Sequence, residues 1–69
     1  MRLSARNQIS ARVTHITRGE ATANVALDAG GLRLVSSITV EAVDELGLTE
    51  GTEVTAIIKA SEVILAVAD

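Results

Sequence analysis

Ser4, Ala5 and Arg6 bring a hydroxyl, a main-chain N–H and a forked guanidinium together near the start of the chain, with the amides of Asn7 and Gln8 beside them. All of these groups can donate hydrogen bonds, so the stretch suits an anion. It suits the solvated rim of a strand equally well. A tetrahedral dianion leaving water needs several donors on its oxygens and compensating positive charge. Lys59 offers an ammonium where its strand breaks alternation. Thr39 offers a hydroxyl at the start of a helical turn, whose N–H groups favour anions. On spacing alone both readings stand, and ordinary surface cations and caps are the commoner case.

Catalytic constellations are missing. The single His15 has no neighbour resembling a triad or metal partner, and it continues the alternation of the first strand. Ser61 and Lys59 stand too close in sequence for their pairing to mean more than chance. The carboxylates around Glu41 to Glu45 read as a solvated face, and Gly30-Gly31 as a hairpin turn, not a phosphate loop. The chain is read as a non-enzyme.

The elements that must position these groups follow from hydrophobic period. Ile9 to His15 alternates as a half-buried strand. A turn at Arg18-Gly19-Glu20 leads to a second alternating run, Ala21 to Leu27. Asp28-Ala29-Gly30-Gly31 is a hairpin turn, since glycine accepts positive φ without steric cost. Leu32 to Ile38 is a third strand. Between Thr39 and Leu48 the period changes to a short helix, capped by Thr39 and stopped by Gly47. Thr49 to Thr52 is a turn and Glu53 to Lys59 a fourth strand. After a break at Ala60-Ser61-Glu62, Val63 to Val67 is apolar on both faces, as a strand covered on both sides would be. Five strands with a helix between the third and fourth is the order of an all-β, OB-like Greek-key barrel. Residues 1–69 are expected to form one domain and a complete chain.

Composition narrows the class. The chain has 69 residues, no Phe, Tyr, Trp, Cys or Pro, and a hydrophobic content of 48%. Domains of this size bury only about 60% of their unfolded surface and are marginal alone. With no disulfide staple, no thiolate metal site and no aromatic core, the missing stability is expected from association of subunits. The formal charge of -3 argues against general affinity for nucleic acid or anionic membranes, which rests on Lys and Arg. No signal peptide or transmembrane run is visible, so a cytoplasmic location is expected. The rival readings are a nucleic-acid-binding OB module, for which a basic groove and stacking aromatics are wanting, and a structural oligomer without ligand.

Three stretches, "SARNQI", "SSITVEAVDELGL" and "VTAIIKASEVILA", together resemble the Mop or molbindin family of molybdate-binding proteins, with TOBE/Mop-type domains. The resemblance runs from Leu3 to Ala66. It implies a homo-oligomer, a hexamer built as a trimer of dimers. It also implies molybdate or tungstate bound as whole oxyanions between subunits for intracellular molybdenum storage, with no bare metal cation and no organic cofactor. Carried onto this chain, Ser4, the Ala5 main chain and Arg6 match one wall of the oxyanion pocket. Thr39 and Lys59 match positions on the facing subunit. Asn7 belongs to the motif and either lines the pocket or braces its loop. Two positions depart from the family pattern: Ala42 stands where a serine is frequent, and Ala60 separates Lys59 from the hydroxyl of Ser61. Main-chain N–H groups of Val43 and Ala60 remain as substitute donors. His15 is a candidate for an additional anion site on a symmetry axis.

Overall fold

A computed structural model of the chain describes residues 2–68. Four strands form one antiparallel sheet: β1 (Asn7–Arg18), β2 (Thr22–Ala29), β3 (Leu32–Thr39) and β4 (Glu53–Ile58), in the order β3-β2-β1-β4. A single helix, α1 (Val40–Glu45), lies between β3 and β4, as the change of period requires.

β1 organises the sheet because it serves two partners in succession. Its first half, Asn7 to Arg12, pairs with β4, and Arg12 onward pairs with β2. A bulge interrupts the second ladder, since Val13 stands opposite Leu27 and His15 opposite Ala26. Thr14 is the extra residue, and its hydroxyl donates to the Ala26 carbonyl at 3.2 Å. An inserted residue shifts the two-residue period by one. Ala11 and Val13 therefore face the core before the bulge, and half-buried Ile16 replaces His15 on that face after it. The alternation expected to run through His15 stops at Thr14, and the imidazole is exposed.

The hairpin between β2 and β3 is tighter than the four-residue turn expected from sequence. Only Gly30 and Gly31 form the loop, with φ of 61° and 94°. Two successive positive φ values match the right-handed twist of the flanking strands. The Asp28 carboxylate accepts from the Gly31 N–H at 3.0 Å. This lets β2 continue to Ala29, so Ala23, Val25, Leu27 and Ala29 all turn to the core.

Helix α1 starts where Thr39 caps it. Thr39 has extended backbone, φ −71° and ψ 150°, and its Oγ1 accepts from the Ala42 N–H at 3.0 Å. Gly47 ends the helical segment at φ 63°, a value costly for residues with a Cβ. The helix exists to place Val43, which is 1% exposed, over one end of the sheet.

The core is small. Its buried members are Ala11, Val13, Ala23, Val25, Leu27, Ala29, Val43 and Leu48, and its largest fully buried side chains are valines. β3 and β4 are both edges, and between them the curved sheet opens as an apolar trough of about 680 Å³, floored by Val13, Val25 and Leu27.

The expected fifth strand is not formed by the single chain. After a 3₁₀ turn at Ala60–Glu62, residues 63–68 carry no regular secondary structure. Ile64, Leu65 and Val67 are 92%, 88% and 92% exposed. A strand requires an edge to bond to and, when apolar on both faces, a cover on each. The turn leaves this segment outside the ladder, so the observed sheet is open and four-stranded.

Candidate functional site

The N-terminal end of β1 and the C-terminal end of β4 meet, and most of the expected site residues lie there. Asn7 pairs with Ile58, Gln8 with Ile57 and Ile9 with Ala56. Asn7–Ile58 is the last pair of the ladder; Arg6 and Lys59 flank it, Ala5 and Ser4 lie before Arg6, and the 3₁₀ turn of Ala60–Glu62 follows Lys59. Two segments separated by more than fifty residues in sequence thus supply a guanidinium, an ammonium and two hydroxyls at one end of the sheet.

Asn7 holds the two segments together. Its Nδ2 donates to the Ile58 carbonyl at 3.1 Å, and the residue is half-buried. Of the two roles left open for Asn7, the structure gives it the brace. The signal for it was absent from the sequence, because the acceptor is a main-chain carbonyl on a distant strand.

Arg6 and Lys59 are both exposed, and among the described residues neither enters an ion pair. The remaining donors cluster with them. Lys59 precedes the 3₁₀ turn, its carbonyl accepting from the Glu62 N–H at 2.8 Å, while Val63 N–H donates to the Ala60 carbonyl at 3.3 Å. The turn bonds its own carbonyls and opens with the main chain of Ala60 and Ser61. Ser4, Ala60 and Ser61 are exposed and Ala5 half-buried.

Thr39 and Val43 lie elsewhere. Thr39 pairs with Thr22, beside the far end of the β1–β2 ladder. Within one chain Lys59 and Arg6 flank the last pair of the β1–β4 ladder, while Thr39 ends β3. The Thr39 oxygen already accepts from Ala42, but its O–H can still donate, since a hydroxyl has one proton and two lone pairs. The N–H groups of α1 are less available than its position suggests. Val40 N–H donates to the Ala21 carbonyl at 2.9 Å and Ala42 N–H to Thr39. Val43 is the fourth helical residue, where the N–H first finds an acceptor within the helix, and its side chain is core. Val43 is a packing residue here, and its expected part as a substitute donor has no geometric support.

His15 stands apart from both clusters. Its Nδ1 lies 3.6 Å from Glu50 Oε1, both side chains being about 70% exposed at 68% and 70%. Among the described residues no three His, Cys, Asp or Glu side chains converge to hold a metal ion, and no helix is long and apolar enough to cross a membrane.

Residues 3–65 match the model of the TOBE domain. Molybdenum-pterin-binding protein 1 of Clostridium pasteurianum is 44% identical over 66 residues, covering 94% of this chain and 97% of that protein. The chain belongs to the TOBE domain family, among the molybdenum-pterin-binding (Mop) proteins. Solved structures agree with this assignment. A molybdate-binding protein from Sporomusa ovata superposes with a TM-score of 0.92 at 38% identity, over 96% of this chain and 98% of that one. The cytoplasmic molybdate-binding protein ModG, solved with molybdate bound, gives a TM-score of 0.94 at 48% identity. This Mop chain is covered to 99% in that comparison but spans only 49% of the ModG chain.

Proposed function

We propose that this Mop chain binds molybdate, and tungstate in its place, as an intact oxyanion at the junction of β1 and β4. The observation that carries the reading is that Arg6 and Lys59 flank the last β1–β4 pair and, among the described residues, enter no ion pair. Two positive charges at one end of the sheet suit a doubly negative ion. Ser4, the main chain of Ala5, and the Ala60–Ser61 turn supply donors to its oxygens, and Asn7 fixes their spacing. Molybdate is a dianion at neutral pH with four acceptor oxygens, so a pocket of donors alone suits it. Monohydrogen phosphate carries a proton that such a pocket cannot accept. Sulfate matches in charge and shape, so its exclusion rests on cavity size.

The site is open in the single chain, and association closes it. Residues 63–68 form an uncharged segment next to the turn, and the β3 and β4 edges border an apolar trough. We infer that a second copy's segment adds to this sheet as the missing fifth strand, completing an OB-like barrel. The pocket then gains its last wall, including the hydroxyl of Thr39, from a neighbouring subunit. A hexamer made as a trimer of dimers is the arrangement consistent with the Mop resemblance. The protein would serve as a non-enzymatic cytoplasmic store of the oxyanion. A pterin-bound form of molybdenum is disfavoured by the absence of Phe, Tyr and Trp, since flat heterocycles gain much of their binding from aromatic stacking.

Isothermal titration with molybdate, tungstate and sulfate tests this reading on the unaltered protein and on Arg6→Ala and Lys59→Ala. Each substitution leaves the ligand's charge half compensated and is expected to weaken molybdate more than tenfold, while sulfate binds far more weakly than either larger ion. Equal affinity for sulfate, or indifference to both substitutions, would remove the proposed site.

A further inference from the structure

We infer that Arg12 and Glu53 set the register between β1 and β4, and are thereby positioning residues for the groups that these strands bring to the candidate site. The inference goes beyond the oxyanion reading, and its test needs no ligand.

Of the three ladders, β1–β4 is the one that no short turn fixes. β1 and β2 are joined through Gly19 to Ala21, and β2 and β3 through Gly30 and Gly31. β4 begins only after β2, β3 and α1 have intervened. Core packing leaves its register open by steps of two. Side chains alternate between faces, so an odd slip exposes the core set whereas a slip of two preserves it. Ile9, opposite Ala56 in the observed register, would then meet Val54 or Ile58, and both are apolar. The Asn7 side chain does not discriminate either. Its acceptor is the main-chain carbonyl of Ile58, a group that every residue carries.

The charges on the solvent face do discriminate. Arg12 belongs to both ladders of β1, opposite Asp28 on one side and Glu53 on the other. Asp28 in turn stands opposite Arg33. Arg33, Asp28, Arg12 and Glu53 thus form a row that crosses all four strands, exposed throughout and alternating in sign. Opposite charges directly across a pair of strands are stabilising and like charges destabilising. The β1–β4 step of the row closes at 3.5 Å, with Arg12 Nη2 donating to Glu53 Oε1. A slip of two would set Arg12 against Gly51 or Thr55, and Glu53 against Ser10 or Thr14. Neither charge would then face its opposite. An exposed pair adds little to global stability, yet a small difference decides between registers that the core treats alike.

The chain has no cysteine, so introduced pairs report the register. Ser10 stands opposite Thr55, and Ile57 is the next residue of β4 on that face. Ser10→Cys with Thr55→Cys traps the observed register. Ser10→Cys with Ile57→Cys traps a slip of two, since a disulfide does not span diagonal neighbours. Each pair is refolded in a glutathione buffer, and its intramolecular disulfide is quantified by mass spectrometry. In the otherwise unaltered chain the first pair should dominate. Arg12→Glu sets like charges against both Asp28 and Glu53 and should raise the slipped disulfide about fivefold. Glu53→Gln, a milder change at an exposed side chain, should raise it about twofold. Arg12→Lys should leave it unaltered. Adding Glu53→Arg to Arg12→Glu should recover part of the native pairing, and Asp28→Asn in addition should recover more, because the whole row is involved. A slipped disulfide that responds to neither Arg12→Glu nor Glu53→Gln would overturn the inference. An equal response to Arg12→Lys would overturn it too, by showing that the shape of the side chain and not its charge sets the register.

Discussion

The two ends of β1 handle positive charge in opposite ways. At the C-terminal end Arg18 donates to Asp44 Oδ1 at 3.0 Å. At the N-terminal end Arg6 and Lys59 flank the last β1–β4 pair, and among the described residues neither enters an ion pair. A chain with nine acidic residues and a net charge of -3 has carboxylates to spare. The balanced end is a fold surface, and the unbalanced end is where an external anion belongs.

The sharpest way to break this contrast is to discharge the unbalanced end. Arg6→Ala with Lys59→Ala should abolish measurable molybdate binding in titration calorimetry, while the unliganded protein loses no thermal stability, because both side chains are exposed and, among the described residues, enter no ion pair. Binding that survives the double substitution would place the anion elsewhere. Next comes Val43, which the structure assigns to packing. Val43→Ala should cost about 2 kcal/mol in denaturant unfolding through the cavity it leaves, with molybdate affinity of the folded protein unchanged. A selective loss of affinity would restore it to the site. Thr39→Ala removes the helix cap and should cost about 1 kcal/mol, read as a lowered unfolding midpoint. Thr39→Asn keeps a capping oxygen and should recover that stability, separating the cap from any contribution to the anion. The smallest effect belongs to the balanced end. Arg18→Ala breaks a pair whose side chains are 48% and 63% exposed, and such pairs are worth about 0.5 kcal/mol. Its molybdate isotherm should overlay that of the unaltered protein.

Sequence patterning disclosed most of the fold. The alternation in Ala21 to Leu27 and Leu32 to Ile38, the change of period after Thr39 and the stop at Gly47 all appear in the structure as β2, β3 and α1. What escaped was non-local. The bulge at Thr14 carries no local signature, since neither Val13-Thr14-His15 nor its partner strand contains a glycine or proline. Val63 to Val67 reads in sequence as a strand covered on both sides, whereas in the chain it forms no strand and its side chains stay exposed, since an apolar pattern does not supply the edge and cover a strand needs. Among the site residues, Ser4, Arg6 and Lys59 could be chosen by donor chemistry. That Arg6 and Lys59 lie at the same end of the β1–β4 ladder depends on its register, which only the folded chain fixes. Asn7 as a brace and Val43 as core follow from that same register and from the helix phase.

Tungstate is heavy enough for its anomalous X-ray scattering to locate it without bias, which makes crystals grown with tungstate the most direct test of the account. The strongest anomalous peak should lie within hydrogen-bonding distance of the Arg6 guanidinium and the Lys59 ammonium, with Ser4 and the Ala60–Ser61 turn around it. Peaks found only beside His15, or none near the β1–β4 junction while the protein binds tungstate in solution, would contradict it.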